Sequence, residues 1–197
     1  MHPYQIEDEV KTRVFIVAIV FSIVAARLLN LLLLNLPFSI PWWVETPSVL
    51  GFFGFFILAF NKVLWKTNFF QKIEWFYIPN LNGEWKTEIR SSHKGFGEPL
   101  FSKICIQQTA SHISITMDTQ ESISYSVSAI LLKSKKLNQF ELTYNYINQP
   151  KADSISTMNI HAGTVWVQVS NDCKNLDGEY YSGRGRQNFG RIIMNRG

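Results

Sequence analysis

Histidine and cysteine are scarce in this chain, and what there is lies scattered. His2, His93, His112 and His161 share no local cluster, and neither they nor the two cysteines, Cys105 and Cys173, fall at metal-ligand spacing. No glycine-rich phosphate loop precedes a helix, and the serine-rich stretch SISYSVSA has no general base beside it. These absences argue against an enzyme, a metal centre and a bound cofactor. Two cysteines so far apart are weak grounds for a bridge. They read as free thiols of a reducing compartment, packed as small apolar residues.

Charge is missing from one half of the chain. Between Val14 and Phe60 the only charged residues are Arg27 and Glu45, whereas Leu81 to Gly197 carries 13 Lys/Arg and 10 Asp/Glu. The first stretch suits lipid and the second water. Val14 to Leu34 is 21 residues long, and as a helix would extend about 31 Å, matching a hydrocarbon core of about 30 Å. A second apolar stretch runs from about residue 44 to 60 and ends in VLGFFGFFILAF. Between them NLPFSIPWW holds two prolines that stop the first helix and the interfacial pair Trp42 and Trp43.

The expected organisation is an N-terminal segment over 1–13, two transmembrane helices over about 14–34 and 44–60, a linker over 61–80, and a soluble domain over 81–197. Acidic Glu7, Asp8 and Glu9 do not suit a signal peptide. Lys11 and Arg13 precede the first span and Lys62, Lys66 and Lys72 follow the second, while the loop from Leu36 to Val44 has neither Lys nor Arg. Both termini are therefore expected in the cytoplasm. Arg27 within a span costs about 2.5 to 3.5 kcal/mol at the helix centre. Either it snorkels with help from Asn30 and Asn35, or Arg27 and Asn30 share a face that meets a second copy or lines a passage for water. Gly51 and Gly54 leave room for a close helix approach, and the aromatic, Lys-bearing linker is expected to continue the second helix or lie on the membrane until Pro79 ends it.

After Pro79 the apolar period becomes two, with turn signals about every ten residues. About eight antiparallel strands are expected, over 82–91, 100–110, 112–118, 122–135, 138–147, 156–170, 176–184 and 188–196. Closed on itself, such a sheet makes a small barrel that is filled by side chains or holds one small ligand. LNGEW (81–85) and LDGEY (176–180) each place an aromatic two residues after a glycine, an arrangement that suits aromatic closure of one end. The fold class is thus membrane-anchored all-β, with two N-terminal transmembrane helices and a barrel.

Polar and aromatic residues alternate in two strands. Leu142, Tyr144, Tyr146 and Asn148 share one face, as do Ser122, Ser124, Ser126 and Ser128. These residues either stack on and read bases, or the tyrosines belong to the core and the serines to a wet face. Arg184, Arg186, Arg191 and Arg196 close the chain with a fork geometry that suits phosphate, or they form a solvated face. The soluble half is only +3, from its 13 basic and 10 acidic residues, which is too little for long nucleic acid. A small phosphorylated ligand or anionic lipid fits better.

In the order of these features the chain resembles the two-transmembrane β-barrel effectors of bacterial cyclic-oligonucleotide-based antiphage signalling systems. The resemblance rests on the two spans, LNGEW at Leu81 to Trp85, the YxYxN element at Tyr144 to Asn148, His161 and Gly163 before an apolar strand, and the terminal LDGEY…R…G segment at Leu176 to Arg191. It implies a receptor for a cyclic dinucleotide made by a partner nucleotidyltransferase. Ligand binding would drive homo-oligomerisation and disruption of the bacterial inner membrane. It also implies that Tyr144, Tyr146, Asn148, His161, Tyr180 and Arg184 contact the ligand, and that Arg27 and Asn30 serve the membrane step. The alternative is a membrane-tethered barrel for lipid or another small ligand, without a signalling role.

Overall fold

The computed structural model describes residues 1–33, 41–135, 137–156, 158–183 and 187–196, giving the backbone but not the side chains of 42–48 and Lys94. The chain divides into two compact units, one of Asp8–Ile78 and one that joins Met1–Glu7 to Pro79–Gly197.

The first unit is helical. Helix α1 (Asp8–Leu33) opens with Asp8 and Glu9 against the positive end of its dipole. Its buried side chains, Val10, Val14, Ala18 and Ser22, recur every four residues and form one stripe. Helix α2 (Trp42–Lys62) packs along it, with Phe15 stacked on Phe53 at 6.3 Å and Phe21 tilted over Phe56 at 5.1 Å. The remaining face of α1, including Ile16, Ile19, Val20, Ile23, Val24 and Leu28, is exposed. A helix that buries its small residues and presents its large apolar ones outward matches lipid as a solvent. By length and composition α1 is able to cross a membrane; the apolar part of α2 with described side chains, Val49–Lys62, is shorter. The expected second span therefore falls partly on side chains outside the description, as do Leu34, Asn35 and the Trp42–Trp43 pair. A Cβ on Gly51 or Gly54 would meet nothing within 4 Å, so within the chain these glycines mark no close approach. The linker does not continue α2. It breaks into a 3₁₀ turn at Leu64–Lys66, the short helix α3 (Asn68–Lys72) and a second 3₁₀ turn at Glu74–Phe76. Gln71 Nε2 ties this segment together by donating to Trp65 O and Ile78 O.

The second unit is an eight-stranded antiparallel barrel. Its strands are β2 (Gly83–Ser91), β3 (Leu100–Gln108), β4 (His112–Asp118), β5 (Ser122–Lys133), β6 (Phe140–Pro150), β7 (His161–Val169), β8 (Asn175–Ser182) and β9 (Phe189–Arg196). Neighbours pair in chain order, β9 returns to β2, and β4–β5 completes the ring. Alternation places Trp85, Ile104, Ile106, Ile113, Leu131, Leu142, Val167, Leu176 and Met194 in the core. The stretch expected as one strand over 156–170 is a strand only from His161; a 3₁₀ turn at Ala152–Ser154 precedes it. At the turn expected around Gly95, this residue adopts φ +59°, the left-handed region that glycine enters without strain.

The ring closes imperfectly. β4 and β5 pair only at Thr116↔Tyr125, Met117↔Ser124 and Asp118↔Ile123. Beyond that the N-terminal segment fills the seam. Strand β1 (His2–Pro3) pairs with β4 through His2↔Ile113 and Pro3↔His112. On the other side Gln5 N donates to Ala129 O at 3.1 Å, and Leu131 N donates to Gln5 O at 2.8 Å. Tyr4 and Ile6 are buried, each worth about 1.5–3 kcal/mol of removed apolar surface. The expectation of a plain N-terminal segment over 1–13 did not include this strap.

Candidate functional site

The two ends of the barrel differ in chemistry. At the closed end Trp85 is fully buried, its Nε1 donates to Leu81 O at 2.9 Å, and Arg196 lies over its ring at 5.4 Å while donating to Asn80 O and Asn82 O. Buried Gln108 completes this end: its Oε1 accepts from Leu81 N at 2.8 Å, and its Nε2 donates to the Tyr4 hydroxyl at 2.9 Å and to Pro79 O at 3.1 Å. The two glycine–aromatic segments do not close the same end. Trp85 does so, but Tyr180 lines the opposite, open one.

The open end is a cleft of about 1490 Å³ whose inner wall includes Thr87, Ile104, Ile115, Ser122, Ser124, Tyr144, Tyr146, Asn148, His161, Val165, Tyr180 and Ser182. Outward-facing Lys86, Lys103 and Cys105 also border it, so the space continues over the rim. Part of that volume therefore lies outside the barrel wall and is not the capacity of one enclosed ligand pocket. The structure thus brings together five of the six side chains expected to contact ligand, Tyr144, Tyr146, Asn148, His161 and Tyr180; the sixth, Arg184, lies outside the described residues.

Strand parity explains the convergence. Tyr144, Tyr146 and Asn148 alternate inward along β6, with Tyr144 and Asn148 buried, and register sets Tyr146 opposite Gly163 and Asn148 opposite His161. Each of two tyrosines lies across a glycine. A Cβ on Gly163 would meet the Tyr146 ring and hydroxyl at 2.4 Å, and one on Gly190 would meet Tyr180 Cε1 at 2.9 Å. Burial raises the Tyr144 phenol well above the ordinary tyrosine value, with nearby Tyr146 adding to the rise, so Tyr144 stays neutral as a hydroxyl. His161 sits edge-on to Tyr146 at 6.5 Å. Its Nδ1 lies 3.0 Å from Asn159 O, and because a carbonyl only accepts, Nδ1 is the donor in this contact.

The serine row on β5 is inward at Ser122, Ser124 and Ser126. A register shift between Ser126 and Ser128 turns Ser128 outward, where it accepts from Asn145 Nδ2, so the fourth serine expected on that face is not there. Ser124 Oγ donates to Asn148 Oδ1 at 2.7 Å, Asn148 Nδ2 donates to Met158 Sδ at 3.1 Å, and Ser126 Oγ accepts from Ile115 N and meets His2 Nε2. Ser124 and Met158 were not among the expected contacts; the parity of the serine row pointed to the first, and nothing in the sequence pointed to the second.

The arginines near the C-terminus divide. Arg191 forms a two-pronged pair with Asp177 at 2.9 and 2.6 Å on the outer wall, and Arg196 serves the closed end, so neither described arginine faces the cleft. Arg186, like Arg184, lies outside the described residues. At the rim Lys151 Nζ donates to Asp118 Oδ1 and Thr119 O, both at 2.6 Å. In α1, Arg27 is exposed and Asn30 half-buried. Both cysteines are free, as expected, but Cys105 is exposed on β3 and Cys173 half-buried in a turn at φ +53°. Neither is packed in the core. No group of three or more metal-ligating side chains occurs among the described residues.

Comparison with known proteins places this geometry. Residues 76–196 match the family described as Cap15, cyclic dinucleotide receptor domain. A curated relative, CD-NTase-associated protein 15 of Yersinia aleksiciae, is 31% identical over 137 residues, which cover 70% of this chain and 64% of the relative. The match therefore spans less than two thirds of that protein. The family match takes in the whole barrel from β2 to β9, with its open cleft, and the chain belongs to the Cap15 family of cyclic dinucleotide receptor domains.

Proposed function

We propose that this chain is a membrane-anchored receptor that takes a cyclic dinucleotide into the open end of its barrel and acts by binding rather than by catalysis. The observation that carries the reading is the convergence of Tyr144, Tyr146, Tyr180, Asn148 and His161 on one cleft inside the family-matched domain. Tyrosine rings offer faces for base stacking, worth about 1–3 kcal/mol per base. The Asn148 amide and the serine row offer hydrogen bonds to base edges and ribose. Arg184, on the segment joining β8 to β9, is the candidate for phosphate.

In this reading the helices hold the receptor in the bacterial inner membrane, with two passes and both termini in the cytoplasm. Ligand, supplied by a partner nucleotidyltransferase, favours a homo-oligomer whose helices disrupt the bilayer in antiviral defence. Such a shift requires the assembled state to bind ligand more tightly than the monomer. Arg27 and Asn30 are the helix residues assigned to the membrane step. A lipid-binding barrel fits less well, because the cleft wall sets buried hydroxyls and an amide among its apolar side chains.

The test is calorimetric titration of the full chain in detergent with a panel of cyclic dinucleotides. Micromolar or tighter binding of at least one supports the reading. Silence across the panel, together with copurified lipid, would favour the lipid barrel.

A further inference from the structure

Four aromatic side chains form a stripe on the outer wall of the barrel. Trp166 on β7 stacks on Tyr181 of β8 at 5.3 Å, Tyr181 lies directly across from Phe189 of β9, and Phe189 meets Phe96 of the β2–β3 loop at 5.8 Å. Each is 43–57% exposed. At about 150–250 Å² for a fully buried aromatic, the stripe leaves on the order of 400 Å² of contiguous apolar surface open, half of the roughly 800 Å² that each partner gives to a stable interface. That is close to the apolar share such interfaces carry. A second apolar face lies across the barrel. From Ser122 to Leu132 strand β5 has no charged residue, and it turns Ile123, Val127 and Ile130 outward, 39–44% exposed. Strands β8 and β9 stand three and four places from β5 around the ring of eight. Between the two faces, β2 presents a charged row from Glu84 to Arg90.

We propose that the aromatic stripe of one copy docks on the β5 face of the next, joining copies of this chain head to tail. Two different faces on opposite walls make a heterologous contact, which leaves one face free at each end and so extends beyond a dimer. A stripe that met its own equivalent would stop at two. The chain's exits from the barrel favour wall contacts. Lys133 N donates to Glu7 Oε1 at 3.3 Å and Gln108 Nε2 donates to Pro79 O at 3.1 Å, so both connections to the helical segment leave from the closed end. Copies tethered to one bilayer by that end meet side by side. Both faces start at the open end, Ile123 one residue into β5 and Phe189 at the first position of β9, which brings them to similar height. Ser122 and Ser124, which line the cleft, alternate with Ile123 on β5, so ligand in the cleft bears on the docking face from behind. The inference deepens the homo-oligomer part of the proposed function and rests on it.

The test is crosslinking of the full chain in phosphatidylethanolamine–phosphatidylglycerol vesicles, without nucleotide and with each of cyclic di-AMP, cyclic di-GMP, cyclic di-UMP and cyclic di-CMP. In a Cys105→Ser, Cys173→Ser background, copies bearing Tyr181→Cys are mixed equally with differently tagged copies bearing Val127→Cys and treated with a short bismaleimide. Random encounter gives about twice as much mixed dimer as either like pair, whereas heterologous docking should give about fivefold or more. With an amine-reactive crosslinker the wild-type chain should form a ladder beyond the dimer. Trp166→Glu or Val127→Glu alone should leave monomers, and the two mixed should stop at the dimer, since each keeps one intact face. The inference is overturned by a Tyr181→Cys like pair as abundant as the mixed one, by mixed dimers no more frequent than with Arg90→Cys on the charged wall, or by an undiminished ladder in either glutamate variant. In each case a persisting wild-type ladder leaves the oligomer reading intact. Vesicle lipid that shields the Tyr181→Cys thiol while no mixed dimer forms assigns the stripe to the bilayer and likewise overturns the inference. Absence of any ladder under every condition overturns both.

Discussion

The ring of Tyr146 rests on the bare backbone of Gly163: its Cζ and hydroxyl oxygen lie 2.4 Å from the point where a β-carbon on Gly163 would stand. The Tyr181 carbonyl is 2.5 Å from the same point, so neither side has room. Gly163→Ala should therefore push Tyr146 out of its place over β7. The expected cost is about 1–3 kcal/mol of barrel stability, as for other overpacked sites, together with a fall of tenfold or more in cyclic dinucleotide affinity. Denaturation and calorimetry of the same preparation read both, and a variant that retains full affinity would remove Tyr146 from the site.

Gln108 gathers the two places where the chain enters the barrel, the strap through Tyr4 and the linker exit through Pro79 and Leu81. Gln108→Leu keeps the volume but leaves three buried polar groups without this partner. The Tyr4 hydroxyl keeps its bond to Thr109 O, so the cost falls on Leu81 N and Pro79 O, about 1–3 kcal/mol for each group left unsatisfied. Tyr4→Phe removes one hydroxyl and should cost less. Thermal unfolding of the full chain should rank wild type above Tyr4→Phe, and Tyr4→Phe above Gln108→Leu.

A fragment beginning at Pro79 holds all eight barrel strands but lacks the strap, leaving unpaired edges of β4 and β5 along the seam. Exposed strand edges recruit other chains. The fragment is expected to melt earlier than a version carrying residues 2–7 and to self-associate on size-exclusion chromatography. A synthetic His-Pro-Tyr-Gln-Ile-Glu peptide should reverse both effects, and a monomeric fragment indifferent to the peptide would show that the seam closes by other means.

Asp177 has its carboxyl held below the ordinary range, chiefly by hydrogen bonds from Arg191, which outweigh the opposing effect of burial and are joined by a further lowering from the Arg191 charge. Because the folded-state value is depressed, the associated stability is present above the unfolded carboxylate range near pH 4 and is lost as pH falls through the lowered value. Both partners are largely solvated, so the effect is modest and screened by salt. Asp177→Asn should lower the melting temperature slightly at pH 7, and its difference from wild type should vanish toward pH 2. A difference that persists in acid would assign it to packing instead.

The barrel was legible in the sequence because it depends on local alternation. Parity grouped Tyr144, Tyr146 and Asn148 on one face of β6 without saying which face is inward, and the three-dimensional register is what brings them to the cleft together with His161 and Tyr180. What stayed hidden depends on long-range or irregular structure. The bulge that turns Ser128 outward has no glycine or proline to announce it. Met158 reaches Asn148 from a connecting segment, where no periodicity applies. Arg191 and Arg196 look alike in sequence, and only the register of β9 against β8 and β2 gives one to Asp177 and the other to the closed end. The strap was missed because HPYQIE is too short to carry a strand period and finds its partners more than a hundred residues away.

That separation governs the order of assembly. Residues 2–5 leave the ribosome well before the strands they join, because β4 and β5 emerge only after the whole helical segment and the first strands of the barrel have been made. Contacts of such high sequence separation form late and slow folding. The seam can thus close only once β5 has emerged, and α1 is synthesised and free to enter a bilayer while its own N-terminal neighbours still wait for their place in the sheet.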